Sequence, residues 1–403
     1  MGPPGLKADR EERRVRVTMV NKHYPPHLGG IEYHLRDLAE ALATRGHEVR
    51  AVVANEGPER VSETLGGVEV LRLPRIFAVS SAPVAPALAR ELAAVGRRTD
   101  LVHLHFPYPW GELSWLRARP RRADGSRVPA VVTYHSDIVR QRAMLAAYAP
   151  LLRRFLREVD LVVASSPDMV EHSPFLARVR GKCRVVPFGI RVEAFEPTPE
   201  LERRAEELRA RHERPIVLFV GRLIYYKGAD VLVRAMAGVD ADLVVVGKGP
   251  LEAELRTIAM ARGVAGRVTF LPPVDDAELR AWYRAADVFC LPSVARSEAF
   301  GLVQLEAHAS GTPVVSTRLT TGVPFVNADG VTGLTVPPGD VEALAGALRR
   351  LIEDRALRER LGAQARERAR REFTIARMVD DTLAVYGEAV ALGPRADVSG
   401  GEA

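Results

Sequence analysis

The sequence predicts an α/β fold made of two successive units of similar size, each a parallel sheet flanked by helices. Three observations carry this. A strand, a helix and a second strand follow one another within residues 15–54. The same alternation restarts at residue 215, after a charged stretch containing prolines. The chain has 403 residues, of which 47% are hydrophobic and 27% charged, enough apolar material for two cores.

The first strand is VRVTMV (15–20). A loop, NKHYPPHLGG, leads into the helical run IEYHLRDLAEALATRG, where Ile31, Leu35, Leu38 and Leu42 recur at helical spacing and Gly46 ends the helix. HEVRAVVA follows at once as a strand, and VEVLRL, DLVHLH, AVVTYH, DLVVAS and CRVVPF are read as later strands. Residues 138–158 form a basic amphipathic segment with Leu145, Tyr148, Leu152 and Phe155 on one stripe and Arg142, Arg153, Arg154 and Arg157 largely off it. Two readings stand: an ordinary helix packed on the sheet, or a face that meets lipid headgroups. Residues 191–214, rich in charge and poor in apolar side chains, are the best linker candidate. Strands then recur at PIVLFVG, ADLVVVG, RVTFLP, ADVFCLP and TPVVST, with helices between them. The run FTIARMVDDTLAVYGEAVAL reads as a final helix, with Ile375, Met378, Leu383 and Tyr386 as its stripe.

Several classes are excluded or weakened by composition. No apolar stretch reaches the about 18–20 residues that span a bilayer, and MGPPGLKADREERR lacks the apolar core of a signal peptide. A cytoplasmic protein with a frayed tail, GPRADVSGGEA, is expected. The two cysteines, Cys183 and Cys290, lie beside strand-like runs and read as buried free thiols. Net charge is +6, unevenly placed: residues 1–195 hold 30 Lys and Arg against 21 Asp and Glu, the remainder 27 against 30. The first half therefore suits an anionic surface, unless it is simply rich in arginine. The basic residues are dispersed and lack interleaved aromatics, so nucleic acid is not an expected partner.

The candidate chemistry gathers at strand ends. Arg222 and Lys227 follow the strand PIVLFVG, at the carboxyl edge where open α/β sheets bind ligands, and a guanidinium with an ammonium suits a diphosphate. The alternative is two surface cations beside a turn. GKGP places Gly247 and Gly249 after the next strand, as a plain turn or a close backbone approach to a ligand. It lacks the third glycine of a dinucleotide fingerprint and is not a phosphate loop. In PSVARSEAFGLVQLEAHASGTPVV, Glu298 and Glu306 flank a loop-to-helix turn at Gly301. Helix starts expose N–H groups and a positive dipole end, which suits phosphate, and a carboxylate on either side can accept from hydroxyls. A sugar nucleotide has that layout. In the first half, Gly29 and Gly30 sit between strand and helix as a second backbone nest. His135 ends the strand AVVTY and reads as structural or as a contact to the reacting sugar. His103 and His105 alternate along one strand without a clear third ligand, so no metal site is expected.

Taken in order, FVGRLIYYKG, GKGP, FLPPV, LPSVARSEAFG and EAHASGTPVVST resemble the donor domain of glycosyltransferase family 4, and the spacing of Glu298 and Glu306 matches its E-x7-E motif. LGGIEYHLRDLAEALATRGHEV, TYHSD and VVPFGI resemble its N-terminal acceptor domain. The likeness spans about residues 15–390. It implies a GT-B fold: two Rossmann-like domains facing across a cleft, residues 1–193 as acceptor domain completed by the helix 375–392, and 194–374 as donor domain. It also implies retaining transfer of a hexose from a nucleotide-diphospho-sugar of the GDP-mannose or UDP-glucose type. No cofactor and no metal are implied. The acceptor would be a sugar, a glycan or a lipid-linked molecule, which with the basic first half suggests peripheral contact with an anionic membrane at its inner face.

The resemblance assigns roles residue by residue. Arg222 and Lys227 would neutralise the diphosphate and Glu298 would hold donor-sugar hydroxyls. Phe300, Gly301 and Leu302 would offer backbone to sugar and phosphate, with Gly249 also in the donor site, and Glu306 would hold the ribose. Gly30 would approach the phosphates from the first domain, and His135 would lie by the anomeric carbon. With no nucleophile evident, a same-face attack assisted by the departing phosphate is expected, with domain closure excluding water. Two departures stand out: His308 where methionine is usual, and Phe325 and Asn327 where many members carry an acidic residue. The rival readings are a sugar-nucleotide epimerase or a glycan phosphorylase on the same architecture. A dehydrogenase lacks its glycine fingerprint.

Overall fold

The computed structural model describes residues 14–26, 29–79, 82–138 and 142–392. The charged N-terminal segment, the tail from residue 393 and residues 139–141 of the basic segment lie outside the described residues. The chain divides into two compact units. The first comprises residues up to Thr133, Arg154–Leu161 and the chain from Leu383; the second comprises Tyr134–Arg153 and Val162–Thr382.

Both sheets follow the predicted alternation. The eight strands of one run in the order Cys183–Val185, Leu161–Ala164, Ala130–Tyr134, Leu101–Phe106, Arg16–Val20, Glu48–Ala54, Val68–Leu73 and Val61–Leu65. The last, VSETL, pairs antiparallel at the edge. None of its residues is fully buried, and Glu63 interrupts the half-buried face between Val61 and Leu65, which weakens the pattern a sequence can reveal. The helix Gly30–Thr44 buries Leu35, Leu38 and Leu42, as its spacing predicts. The basic segment is helical over Arg142–Glu158; Leu152 and Phe155 are buried, while Arg153, Arg154 and Arg157 are exposed. Among the described residues, no helix is long and apolar enough to cross a membrane.

The other sheet has six strands in the order Val268–Leu271, Asp242–Val246, Ile216–Val220, Val288–Leu291, Val314–Thr317 and Gly333–Val336, all paired parallel. Strand Ile216–Val220 is buried on both faces: Val217 and Phe219 join one apolar cluster, while Ile216, Leu218 and Val220 join another. That double burial is why PIVLFVG reads as an unbroken apolar run. The chain steps outward from this strand in one direction, then returns to lay Val288–Leu291 on its other side. The direction of winding therefore reverses between these two neighbours, and the crevice beyond their carboxyl ends is where such sheets bind ligands.

The stretch 191–214, expected as a linker, contains a helix. Residues Pro199–Arg209 form a helix, with Pro199 at its first turn and the Thr198 hydroxyl accepting from the Leu201 N–H at 3.2 Å. Ala205 and Leu208 are buried, and two bidentate pairs, Arg204 with Glu278 and Arg209 with Asp287, hold the charged face. High charge here marks a solvated helix face. The final helix runs Ile375–Ala391 and joins the first unit from Leu383 onward. There the Tyr386 hydroxyl meets His103 Nδ1 at 2.7 Å, while His103 Nε2 meets Thr133 Oγ1 at 2.7 Å.

Candidate functional site

The site is assembled by the two loops that leave the paired strands Ile216–Val220 and Val288–Leu291. The first carries Gly221, Arg222 and the short turn Tyr225–Lys227; the second carries Ser293 to Gly301. The loops touch backbone to backbone. Val294 N–H donates to the Tyr226 carbonyl at 2.8 Å. Gly228 takes φ of +66°, and a Cβ there would lie 2.0 Å from the Pro292 carbonyl oxygen. Only glycine satisfies both demands.

This contact brings Lys227 to Glu298. The ammonium lies 2.6 Å from the carboxylate, and both side chains are almost wholly buried. The Ser293 hydroxyl donates to the same carboxylate oxygen at 3.0 Å. Burying two charges is tolerable when they pair and their remaining donors and acceptors are met. Arg222 stays exposed and donates to the Tyr226 hydroxyl at 3.4 Å. Lys227 Nζ lies 5.8 Å from the Tyr226 ring centre. The two cations and Glu298 therefore occupy one locality at the switch point, with Tyr226 between the cations.

Gly301 has φ of +74° and precedes the helix Leu302–Ala309. A Cβ on it would come within 2.7 Å of both Leu291 and Gln304. The glycine makes the sharp loop-to-helix turn, whose first N–H groups have no partner within the helix. Phe300 is buried beside it. Glu306 projects from this helix, and the buried Tyr283 hydroxyl donates to its Oε2 at 2.7 Å. Burial pushes the Glu306 carboxyl up to about 7; the Tyr283 hydrogen bond opposes this and the charge of Asp276 adds to it. Tyr283 is itself wedged between Phe195 and Phe289, and its carbonyl accepts from Thr312 at 2.6 Å.

Gly249 follows the next strand, and a Cβ there would lie 2.3 Å from the Leu223 carbonyl oxygen. Its bareness lets this loop pack on the one bearing Arg222. His135 is buried at the end of its strand, with its ring 5.2 Å from that of Phe188, which in turn lies 5.0 Å from Phe300. Two residues on, Asp137 accepts from the Tyr134 hydroxyl at 2.8 Å, from Ser173 at 2.7 Å and from Arg296 at 2.7 Å. Gly30 opens its helix in the first unit, exposed, with nothing within 4 Å of where a Cβ would sit. Sequence reasoning missed Ser293, Tyr283, Asp137 and Arg296.

The two departures from the family pattern have packing explanations. His308 is buried, and desolvation with the charge of Arg368 depresses it to about 3, so it is a neutral core residue. Asn327 is buried and its amide donates to the carbonyls of Val314 and Leu334 and to Ser316, stitching two neighbouring strands. Phe325 packs against Phe373, with the Arg368 guanidinium over both rings.

Comparison with known proteins adds the chemistry. The family described as glycosyl transferases group 1 matches residues 202–368, and glycosyltransferase family 4 matches residues 28–194. The chain is 36% identical over 347 residues to the D-rhamnosyltransferase WbpZ of Pseudomonas aeruginosa, covering 86% of this chain and 89% of that protein. It is 33% identical over 380 residues to the O-antigen chain mannosyltransferase C of Escherichia coli, covering 92% and 98%. The sucrose-phosphate synthase structure from Thermosynechococcus elongatus matches with a TM-score of 0.77 at 27% identity, over 94% of this chain and 100% of that one.

Proposed function

Because the chain belongs to the group 1, family 4 glycosyltransferases and is a GT-B enzyme acting on nucleotide-sugar donors, we propose that it moves a hexose, with retention and without a metal, from a nucleotide-diphospho-sugar to a sugar, glycan or lipid-linked acceptor. GDP-mannose and UDP-glucose are the donor types considered. The names of the two relatives, a rhamnosyl- and a mannosyltransferase, favour the manno configuration. Residues 1–193 with the final helix act as the acceptor domain and 194–374 as the donor domain. A lipid-linked acceptor would bring the basic first half to an anionic membrane surface.

The single observation that carries this reading is the pairing of Lys227 with Glu298 at the switch point, beside the exposed Arg222. As the donor bond breaks, negative charge develops on the leaving diphosphate. Arg222 and Lys227 would stabilise it, together with the helix start after Gly301, supplying the electrostatics a metal would otherwise give. Glu298 then holds sugar hydroxyls, Glu306 holds the ribose, and His135 lies by the reacting carbon. Phe300, Leu302, Gly249 and Gly30 contribute backbone approach. No side chain is assigned as a nucleophile, so the acceptor attacks the face the diphosphate leaves, and a phosphate oxygen takes its proton.

The test is incubation with GDP-mannose, GDP-rhamnose or UDP-glucose and a mannosyl-terminated glycolipid acceptor, with EDTA present. Release of nucleoside diphosphate together with an α-linked product by NMR is the expected result. A β-linked product, or activity abolished by EDTA, would contradict retention or metal independence. Isomerised donor without transfer would favour the epimerase reading.

A further inference from the structure

The ion pair between Asp137 and Arg296 joins the two loops that matter most to the transfer step, and nothing above uses it. Asp137 lies two residues after His135, and Arg296 two residues before Glu298. Arg296 Nη2 donates to Asp137 Oδ2 at 2.7 Å. The other carboxylate oxygen accepts from the Tyr134 and Ser173 hydroxyls, so Asp137 is held from three directions and its side chain is only 8% exposed. Arg296 Nη1 donates to the Thr320 carbonyl at 2.6 Å and also to the Thr320 hydroxyl.

A surface ion pair between two flexible side chains contributes little. This one differs: each partner is fixed by further hydrogen bonds, and the carboxylate is buried. A second contact links the same two loops independently, because the Phe188 ring lies against both His135 and Phe300. The Glu298 loop is also tied to the 320–322 segment, where Gly322 N–H donates to the Ala299 carbonyl at 2.7 Å. An electrostatic clasp and an aromatic contact thus set where His135 stands relative to Glu298.

We infer that Asp137 and Arg296 are positioning residues for glycosyl transfer, holding the His135 loop and the Glu298 loop in the geometry that the transition state requires. The inference rests on the functional reading given above. Neither residue touches the diphosphate grip at Arg222 and Lys227, so loss of the clasp acts on turnover and leaves nucleotide binding in place. Reacting groups displaced by an ångström lose rate steeply, about a hundredfold in unfavourable cases.

The test compares the full-length protein with Arg296→Gln, Arg296→Lys and Asp137→Asn. Asp137→Asn keeps an oxygen for the Tyr134 and Ser173 hydroxyls but removes the charge. Arg296 is partly exposed, so Arg296→Gln is the variant that keeps the fold if Asp137→Asn does not. Steady-state transfer from the donor that the wild type uses gives kcat and KM; calorimetry with GDP and UDP gives nucleotide affinity; thermal unfolding checks the fold. The expected result is kcat lowered by about tenfold or more in Arg296→Gln, partial recovery in Arg296→Lys, and nucleotide affinity within about twofold of wild type. An Arg296→Gln kcat within about twofold of wild type, or a kcat loss that merely tracks lost nucleotide affinity, overturns the inference. A wild-type protein that transfers no sugar from any donor would instead sink the functional reading, and this inference with it.

Discussion

Lys227 and Glu298, 71 residues apart in sequence, meet at 2.6 Å with both side chains almost wholly buried. The pair is neutral as a whole. In the proposed function, a diphosphate arriving beside it would compete with Glu298 for the ammonium, and sugar hydroxyls of the same donor would replace what Glu298 gives up. The donor would then redistribute an existing charge pair, which limits how much charge is left buried at any stage.

Lys227→Ala leaves Glu298 buried without its ammonium partner, with the Ser293 hydroxyl still donating to it. Removing one member of a buried pair costs about 3–5 kcal/mol, so this variant should unfold at clearly lower denaturant than wild type. The double variant Lys227→Met/Glu298→Gln should recover much of that stability while remaining inactive. Denaturant titration followed by circular dichroism checks both.

Glu306 makes stability depend on pH. Its folded carboxyl sits at about 7 against an ordinary 4.5, so the protonated form is favoured in the fold. The stabilisation is fully present below about 4.5 and is lost as pH rises through about 7. Wild type should lose unfolding free energy between pH 5 and pH 8, as read in urea titrations, and Glu306→Gln should show a smaller loss. Donor affinity should move the opposite way, rising with pH as the carboxylate forms and accepts from the ribose. Tyr283→Phe removes a hydrogen bond that favours the carboxylate, so its affinity profile should shift to higher pH.

Gly228→Ala tests the loop contact that creates the site. The substituted residue would need a left-handed φ and would drive a methyl group into the Pro292 carbonyl. A destabilisation of about 2 kcal/mol or more is expected, with donor KM raised, because Lys227 precedes the displaced residue. Gly30→Ala, where space is open, should leave stability within about 0.5 kcal/mol of wild type.

The fold was legible because the central strands of both sheets are buried on both faces, so that strands such as PIVLFVG and ADLVVVG appear as plain apolar runs. The turn at Gly301 and the helix after it were legible for the same local reasons. Charge hid the helix within 191–214: Thr198-Pro199 is a helix start, but the solvated face after it carries too few apolar residues to show a helical period. Short edge strands such as Val61–Leu65, with Glu63 between Val61 and Leu65 on the half-buried face, left only a weak pattern. The supporting residues were hidden for another reason. Tyr283 reaches Glu306 across 23 residues and Arg296 reaches Asp137 across 159, and no local period encodes such pairings.

The central claim is that cations at the end of strand Ile216–Val220 grip a diphosphate. Calorimetric titration of GDP and UDP into wild type and Arg222→Ala, with EDTA present, tests it most directly. Arg222 is exposed and makes one long hydrogen bond, so the substitution should leave the unfolding midpoint nearly unchanged. Wild type should bind one nucleoside diphosphate well and the matching nucleoside hardly at all, and Arg222→Ala should lose about tenfold or more of that affinity. Equal affinity for nucleoside and nucleoside diphosphate, or an unchanged affinity in Arg222→Ala, would contradict the account.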